Sequence, residues 1–299
     1  MACSEMRFDD PAWRATPLQT SWRVFTSLVR KRVPRLRQPS VPYGPDSRIY
    51  ADLATPLGLQ LYRYRPRDLD VELARRLLSL GDTFVDGGAN IGLFSIAAAR
   101  RVGPSGKVVA FEPGRAVRLR LIKNLALNDL AQIEVRPFAL WSSAGEAPFR
   151  IFDDAGAGLN HLSPSPGESG AVELVTLITL DSALSSSDRR RLTLIKLDLE
   201  GAEHAALQGS VDTLREAEPD LIVEVEPRHL ERMGSSDQEV VSFLRTRRYD
   251  LFEPTVEEHG EITLRPLRDI SAKGSGSPNI FATTKPDRVL GRGVKILSR

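Results

Sequence analysis

From position 83 onward, short apolar runs alternate with longer stretches in which apolar residues recur every three or four positions. The short runs predict strands and the longer stretches predict helices. The predicted strands are 83–86, 107–112, 133–140, 193–199, 220–226, 249–254 and 279–285, and the predicted helices are 91–102, 116–127, 201–214 and 238–247. This alternation favours an α/β fold, with a doubly wound, mostly parallel sheet between two layers of helices. No helix is predicted between the last two strands, so we expect the last strand to insert antiparallel.

The first forty residues differ from the rest in charge as well as in pattern. They carry eight basic and three acidic residues, and residues 286–299 carry four and one, so both ends are more basic than the interior. Trp22, Phe25 and Val29 fall on one side of a helix predicted over 21–32, and the prolines that follow predict an extended linker. The basic ends are interpreted as solvated tails. The alternative is a peripheral contact of this helix with an anionic membrane.

Other elements flank or interrupt the alternation. Residues 48–64 predict a hairpin around Gly58, and residues 68–80 predict a helix closed by Gly81. A β-rich excursion with several glycines and prolines occupies roughly 147–180. The chain is therefore divided into a basic extension with a Pro-rich linker, one α/β domain and a basic C-terminal tail, with the bounds 1–47, 48–285 and 286–299.

Composition narrows the class of protein. With 41% apolar and 27% charged residues the chain is typical of a globular protein. No apolar run approaches the roughly 18 residues that span a bilayer. The one cysteine, Cys3, excludes an internal disulfide framework and a cysteine zinc site, which agrees with a cytoplasmic location.

A glycine-rich turn, 86–92, joins the first strand of the alternation to its helix. In a doubly wound sheet this turn lies at the carboxyl edge, where ligands bind. Gly88 removes a side chain where a ligand approaches the backbone, and Gly92 lets the helix pack close to its strand. Asn90 tolerates the left-handed backbone better than other non-glycine residues.

Two acids give this turn a preference among ligands. Glu112, followed by Pro113, ends the second strand and is suited to accept hydrogen bonds from both hydroxyls of a ribose. Asp86 precedes the glycines, where it would repel the pyrophosphate of a dinucleotide but suits the sulfonium and ammonium of S-adenosylmethionine. An NAD(P)-dependent oxidoreductase stays open as the alternative, because it uses the same strand–glycine–helix turn.

Several stretches in order resemble the FkbM family of methyltransferases: FVDGGANIGLFSIAAARRVGPSGKVVAFEP (84–113), NLALNDL (124–130), VRPFAL (135–140), LIKLDLEGAEHAAL (194–207) and LIVEVEP (221–227). The resemblance covers about residues 48–285. It implies a Rossmann-like sheet, S-adenosylmethionine as cofactor, and methylation of hydroxyl groups on sugars, glycolipids or polyketide-type products. It also places Ala139 and Leu140 beside the adenine. The chain departs from the family at Gly87, where valine is common, and at Trp141, where a polar residue is usual.

Candidate catalytic residues follow the fourth and fifth strands. Lys196, Asp198 and Glu200 alternate along the fourth strand, so we expect them on one face. Asp198 or Glu200 is then the proton acceptor, or both ligate a divalent metal ion. The alternative is a structural Lys–Asp pair, with Glu200 capping the next helix. His229 follows the fifth strand and is a further candidate.

Substrate contacts are expected in the excursion. Asn160 and His161 lie in a glycine-flanked segment of it, and 153–170 is the candidate lid over the cleft. Either histidine is alternatively an ordinary packing residue. We expect a small-molecule or glycan acceptor and no nucleic acid, because the chain has no Asn/Asp-Pro-Pro-Tyr-type motif and no basic stripe across the domain. A non-catalytic binding module of the same fold is the remaining alternative.

Overall fold

A computed structural model describes residues 17–64, 68–152, 160–163, 171–257, 261–270 and 279–297. Its N-terminal elements are α1 (Pro17–Arg32), a 3-10 turn (Pro34–Leu36), β1 (Ser40–Tyr43), β2 (Ser47–Tyr50), α2 (Pro56–Arg63) and α3 (Leu69–Leu77). They are followed by β3 (Thr83–Gly87), α4 (Leu93–Val102), β4 (Lys107–Phe111), α5 (Arg115–Ala126), β5 (Ile133–Arg136), β6 (Phe138–Leu140), β7 (Gly145–Ile151), β8 (His161–Leu162), β9 (Ala171–Ile178), α6 (Leu180–Ala183), α7 (Ser186–Arg190) and β10 (Leu192–Leu197). The remaining elements are α8 (Glu203–Gln208), α9 (Val211–Ala217), β11 (Asp220–Glu224), α10 (Pro227–Arg232), α11 (Asp237–Thr246), β12 (Asp250–Val256), β13 (Ile262–Pro266), β14 (Asn279–Thr283), α12 (Pro286–Leu290) and β15 (Lys295–Ile296).

The main sheet has the strand order β15-β13-β12-β14-β11-β10-β3-β4-β5. Its central strands from β11 to β5 are parallel, and β14 runs antiparallel to both of its neighbours, β11 and β12. The chain reverses direction across the sheet between β3 and β10, which places the carboxyl ends of both strands at one crevice. The predicted doubly wound, Rossmann-like sheet with an antiparallel last predicted strand is confirmed.

Helices cover the main sheet on both faces, and each face has its own apolar core. Phe84 and Val85 are adjacent in β3 and both fully buried, yet they belong to opposite clusters because strand side chains alternate between faces. Within the described ranges, no helix is both long and apolar enough to cross a membrane.

A second sheet of four strands, in the order β6-β9-β7-β8, projects beside the carboxyl edge of the main sheet. The single strand predicted over 133–140 is wrong, because the chain leaves the main sheet after Arg136 and enters the second sheet at Phe138. Pro137 lies between them and has no backbone N–H to donate to a ladder. The second sheet contains most of the described residues of the predicted β-rich excursion.

The hairpin predicted over 48–64 is also wrong. Only β2 is extended, and it pairs with β1, while 56–63 form helix α2. Pro56 and the Thr55 side chain, which accepts a hydrogen bond from the Gly58 amide, start this helix. A Cβ on Gly58 would lie 1.9 Å from the Asp52 carbonyl oxygen, so this glycine serves a close approach rather than a turn.

Two other boundaries differ from expectation. The helix predicted over 201–214 is divided into α8 and α9 near Gly209, where a Cβ would lie 2.1 Å from the Trp141 carbonyl oxygen. The basic C-terminal segment, interpreted as a solvated tail, is folded over 286–297. Val289 of α12 and Val294, which directly precedes β15, are buried in the core. The loop before β14 contains the unpredicted strand β13, which pairs with both β12 and β15.

Candidate active site

A cleft of about 660 Å³, including its open mouth, lies between the carboxyl edge of the main sheet and the second sheet. We call it the carboxyl-edge cleft. Of the predicted site residues, those that line it are Gly88, Asn90, Glu112, Pro113, Ala139, Leu140, Asn160, Asp198 and Glu200. The other lining residues are Phe111, Phe138, Phe149, Leu162, Leu199 and Ala202. The cleft therefore combines an apolar wall with several carboxylates, as small-molecule sites commonly do.

The turn after β3 has the backbone that the sequence predicts. Gly88 has φ +72°, and a Cβ there would lie 2.0 Å from the Asp198 carbonyl oxygen, so only glycine fits. Asn90 has φ 49°, the left-handed conformation expected of it. Gly92 caps α4, and a Cβ there would meet the Leu121 side chain at 2.5 Å. Gly92 thus packs α4 against α5 and is not among the residues that line the cleft.

The backbone amides of this turn are already engaged by the protein. Those of Gly88 and Ala89 donate to the Phe111 carbonyl oxygen, at 3.1 and 2.9 Å. The amide of Asn90 donates to Oε2 of Glu112 at 2.9 Å. A pyrophosphate site at such a turn uses free backbone amides and a helix N-terminus without nearby negative charge. Here a carboxylate of the protein occupies the position that an anion would take.

Glu112 is held by main-chain donors from both sides. Its Oε1 accepts from the Gly114 amide at 2.9 Å, and Oε2 accepts from Asn90. Burial raises the pKa of the Glu112 carboxyl to about 7, against the opposing effect of these two amides. Each carboxylate oxygen has two acceptor sites, so each retains one for a ligand in the cleft.

Asp86 and Lys196 lie beneath the cleft instead of on its wall. Asp86 is fully buried in β3, where Oδ2 accepts from the Ser95 hydroxyl at 2.5 Å and Oδ1 lies 3.6 Å from Nζ of Lys196. Lys196 donates to the carbonyl oxygens of Gly87 and Gly88 at 3.1 and 2.8 Å. The expected direct contact of Asp86 with the cofactor is therefore corrected, because β3 continues one residue further and Asp86 remains inside the sheet.

Asp86 and Lys196 each shift the pKa of the other toward the charged form. Burial raises the pKa of Asp86, and Lys196 opposes that effect. Burial lowers the pKa of Lys196, but Asp198 and Asp86 more than offset this, and the pKa is raised. Lys196 thus stays charged and contacts the turn and Asp198, and it is not among the residues that line the cleft.

Asp198 and Glu200 do not share a strand face with Lys196 as predicted. Strand β10 ends at Leu197, and Glu200 has φ 55°, so the period-two alternation does not continue past the strand. Asp198 stays beside Lys196, with Oδ2 3.4 Å from Nζ, and its side chain is 39% exposed at the cleft. Glu200 turns toward a different group of side chains.

Glu200, Glu224 and His229 form that second group. Nδ1 of His229 lies 3.1 Å from Oε2 of Glu200 and 3.7 Å from Oε2 of Glu224. Burial, reinforced by Glu224 and Asp198, raises the pKa of Glu200 to about 9. One ligand atom from each residue lies within 4.8 Å of the others, so this trio could hold a metal ion. Of the two predicted ligands, Glu200 belongs to the trio and Asp198 does not. Glu224 was not predicted from the sequence. It lies at the carboxyl end of β11, a position similar to that of Glu112, which directly follows β4.

The two residues expected to contact the acceptor have different surroundings. Asn160 lines the cleft and accepts from the Phe152 amide at 2.9 Å. His161 is buried in β8, with its ring 5.5 Å from that of Phe152, which is the packing alternative. Most of the expected lid, 153–159 and 164–170, lies outside the described residues.

The apolar walls were not identified from the sequence. Phe111 ends β4 and Phe138 begins β6, and both contribute to the cleft beside Ala139 and Leu140. Phe149 and Leu162 come from the second sheet. Phe111 and Phe138 could have been predicted as lining residues, because each is an aromatic residue at or just after the carboxyl end of a parallel strand. The second pair could not be identified without knowing that the excursion folds beside the turn.

A family model described as the methyltransferase FkbM domain matches residues 86–251. The chain belongs to the FkbM methyltransferase family. The FkbM match begins at Asp86, includes Glu112 and the acidic group around Glu200, and ends in β12. It therefore contains every predicted site residue.

Two relatives match the chain at the level of sequence. Methyltransferase sdnD of Sordaria araneosa is 33% identical over 184 residues, which are 57% of this chain and 66% of that protein. The AMB antimetabolite synthetase AmbE of Pseudomonas aeruginosa is 27% identical over 233 residues, 66% of this chain and 10% of that protein. The chain thus covers slightly less than two thirds of the first relative and a small part of the second.

Solved structures similar to this FkbM methyltransferase include two further members of the methyltransferase class. Methyltransferase FkbM from Methylobacillus flagellatus KT has a TM-score of 0.42 and 15% identity, covering 90% of this chain and 60% of that one. A SAM-dependent O-methyltransferase from Thermotoga maritima has a TM-score of 0.38 and 18% identity, covering 77% of this chain and 66% of that one.

Proposed function

We propose that this FkbM methyltransferase binds S-adenosylmethionine in the carboxyl-edge cleft and transfers its methyl group to a hydroxyl oxygen of a sugar, glycolipid or polyketide-type small molecule. The pairing of the Asn90 amide with the Glu112 carboxylate carries this proposal. It removes an anion-binding donor from the turn and adds a negative charge there, which disfavours NAD(P) and suits a cofactor without phosphate.

The residues of the cleft fit the parts of this cofactor in order. The two remaining acceptor sites of Glu112 match the two hydroxyls of a ribose. Phe138, Ala139 and Leu140 offer an apolar edge for adenine. Asp198, at the other side of Gly88, supplies a carboxylate beside the part of the cleft that is left for the sulfonium.

The bound cofactor supplies a methyl group on a sulfonium, a carbon already activated toward displacement by an oxygen in line with the departing sulfur. Asp198 is the better placed of the two proposed bases, because it is exposed at the cleft and anchored by Lys196. As the oxygen–carbon bond forms and the carbon–sulfur bond breaks, the hydroxyl proton passes to the Asp198 carboxylate. Glu200, with its pKa raised to about 9, holds its own proton near neutral pH and cannot serve in the same way.

The lining of the cleft supports a small acceptor. It combines apolar side chains such as Phe138, Phe149 and Leu162 with a few carboxylates, as small-molecule sites commonly do. The Pseudomonas relative is named as a synthetase of an antimetabolite, which supports a small product over a macromolecule.

The first test is calorimetric titration of the full chain with S-adenosylhomocysteine and, separately, with NAD. Binding of the former alone supports the cofactor assignment, and binding of NAD alone contradicts it. The second test incubates the protein with S-adenosylmethionine carrying a labelled methyl group and a panel of sugars, glycolipids and polyketide-type alcohols. Mass spectrometry of the labelled product then distinguishes an O-methyl ether from methylated nitrogen or carbon, either of which contradicts the proposed acceptor.

Once an acceptor is found, Asp198→Asn should lower kcat about 100-fold or more while leaving the Kd for S-adenosylhomocysteine within about threefold. Asp212→Asn, at an exposed aspartate of α9 outside the cleft, is the matched control. An activity that is lost with a chelator and restored by Mg²⁺ or Mn²⁺ would instead assign deprotonation to a cation at Glu200, Glu224 and His229.

A further inference from the structure

Helix α1 is attached to the rest of the protein by its polar side. Ser27 is fully buried, and its hydroxyl oxygen accepts a hydrogen bond from Nε of Arg63 in α2 at 2.9 Å. At the adjacent positions of the same interface, the Thr26 and Tyr62 hydroxyls lie 3.0 Å apart. The side of α1 that faces the domain thus uses hydroxyl groups, where a helix packed on a soluble domain usually presents its apolar stripe.

The apolar stripe of α1 faces outward. Trp22 and Phe25 are 66% and 59% exposed, with their rings 6.0 Å apart, and Leu28 and Val29 extend the same side. At 100° per residue, these four positions span about 120° of the helix, on the side opposite to Ser27. Val33 and Leu36, just beyond the helix, are also exposed and continue the apolar patch. We call the patch formed by these six residues the α1 apolar stripe.

The charged residues of α1 and of the turn that follows it are all basic. Helix α1 contains no acidic residue, and its last turn consists of Arg30, Lys31 and Arg32. Lys31, Arg32 and the following Arg35 are all exposed. A surface that combines exposed Trp and Phe with a basic border complements an anionic lipid surface, because the rings enter the headgroup region while the cations meet the phosphates.

We propose that the α1 apolar stripe docks on an anionic lipid surface and holds the protein at the membrane interface. A second copy of the chain that pairs its α1 in parallel is a poorer occupant, because this pairing would bring the two acid-free basic turns together. An acidic partner without an apolar face would leave Trp22 and Phe25 in water. This docking does not depend on the methyl-transfer reaction, because the stripe residues do not line the carboxyl-edge cleft.

The test is co-sedimentation of the full chain with vesicles of phosphatidylcholine alone and of phosphatidylcholine with phosphatidylserine. We expect binding to the anionic vesicles at least about tenfold stronger than to the neutral ones, and reduced by salt. Trp22→Ser/Phe25→Ser should weaken this binding about tenfold or more, and Lys31→Gln/Arg32→Gln should weaken it by a similar factor. Leu119→Ser/Ile122→Ser removes two exposed apolar residues from α5 and is the matched control, expected to bind as the wild type does.

The changed side chains are exposed, so each variant should retain the wild-type circular dichroism spectrum and Tm, and binding is compared only among folded proteins. Equal binding of the Trp22/Phe25 variant and the wild type would overturn the proposal, as would equal binding to neutral and anionic vesicles. Equal sedimentation of the protein in the absence of vesicles would also contradict the proposal, because the sedimentation would then not depend on lipid. A dimer that the Trp22/Phe25 substitutions dissociate would identify the stripe as an interface between two copies.

Discussion

The backbone amide of Asn90 donates a hydrogen bond of 2.9 Å to the Glu112 carboxylate, across the crevice between the first two central strands. The two residues are 22 positions apart, and each is unusual alone. Asn90 has a left-handed backbone, and Glu112 is a buried carboxyl whose pKa is raised to about 7. Together they place a protein carboxylate where a dinucleotide would place phosphate, and the proposed preference for S-adenosylmethionine rests on this arrangement.

Replacement of Glu112 by glutamine should weaken cofactor binding. Glutamine has one oxygen, so it can accept from only one of the Asn90 and Gly114 amides, and its own NH₂ group faces the other. Loss of hydrogen bonds to a charged acceptor corresponds to roughly 1.5–3 kcal/mol, or about tenfold or more in the Kd for S-adenosylhomocysteine by calorimetry. Glu134→Gln, at a partly exposed glutamate of the neighbouring strand β5, is the control. Unchanged affinity in Glu112→Gln would contradict the assignment of Glu112 to the ribose.

Stability should fall as the pH rises from about 5 to 9. Burial, together with neighbouring carboxylates, raises the pKa of Glu200 to about 9 and that of Glu203 to about 8. Because these values lie above those of an unfolded glutamate, the stabilisation is complete below about 4.5 and is lost as the pH rises through the folded values. We expect Tm to fall by about 5 °C or more over this range.

Glu200→Gln should flatten this pH dependence, because glutamine cannot release a proton. Scanning calorimetry of the wild type, Glu200→Gln and the exposed-site control Glu216→Gln, at constant ionic strength, measures the slopes. Parallel Tm curves for the wild type and Glu200→Gln would show that Glu200 is not the group that titrates.

Lys196 and Asp86 should be coupled in stability. Lys196→Met leaves Asp86 buried without its counter-charge, which is expected to lower the free energy of unfolding by about 3–5 kcal/mol. Asp86→Asn combined with Lys196→Met should be more stable than the sum of the two single effects predicts, by roughly 1 kcal/mol or more. Urea unfolding of the four proteins gives this coupling free energy. Additivity within about 0.5 kcal/mol would indicate that Lys196 acts mainly on the Gly87 and Gly88 carbonyls instead.

Local sequence patterns predicted the strands and helices around the cleft and the residues of its turn, since these depend on short-range periodicity and on backbone conformations that few residues adopt. Gly88, Asn90 and Glu112 were identifiable in this way. The strand periodicity failed at Glu200, because the pattern does not reveal that β10 ends three residues earlier. Glu224 was missed because its proximity to His229 arises from the chain turning into α10, a tertiary relationship.

A sequence pattern also does not show how deep a residue lies in the sheet. Asp86 occurs next to glycines at the expected ligand turn, and only the three-dimensional arrangement shows that Ser95 and Lys196 enclose it. The hairpin predicted over 48–64 failed for a similar reason. Gly58 breaks a pattern that otherwise reads as helical, and its need to approach Asp52 is a tertiary requirement.

Substitutions at Asn90 test whether the left-handed backbone there affects cofactor binding as well as the stability of the fold. Asn90→Gly should keep both Tm and affinity close to those of the wild type, because glycine adopts φ near 49° without strain. Asn90→Val should lower the free energy of unfolding by about 1–3 kcal/mol and also weaken binding of S-adenosylhomocysteine, because relief of the strain moves the amide that orients Glu112.

Asp129→Val is the matched control for this change. Asp129 has φ 54° after α5, outside the cleft, so valine there should destabilise the protein by a similar amount and leave the affinity unchanged. Calorimetric titration and urea unfolding of the three variants separate the two effects. Equal affinities of Asn90→Val and Asp129→Val would mean that the position of the Asn90 amide does not control the Glu112 carboxylate, and selectivity would then have to come from elsewhere in the cleft.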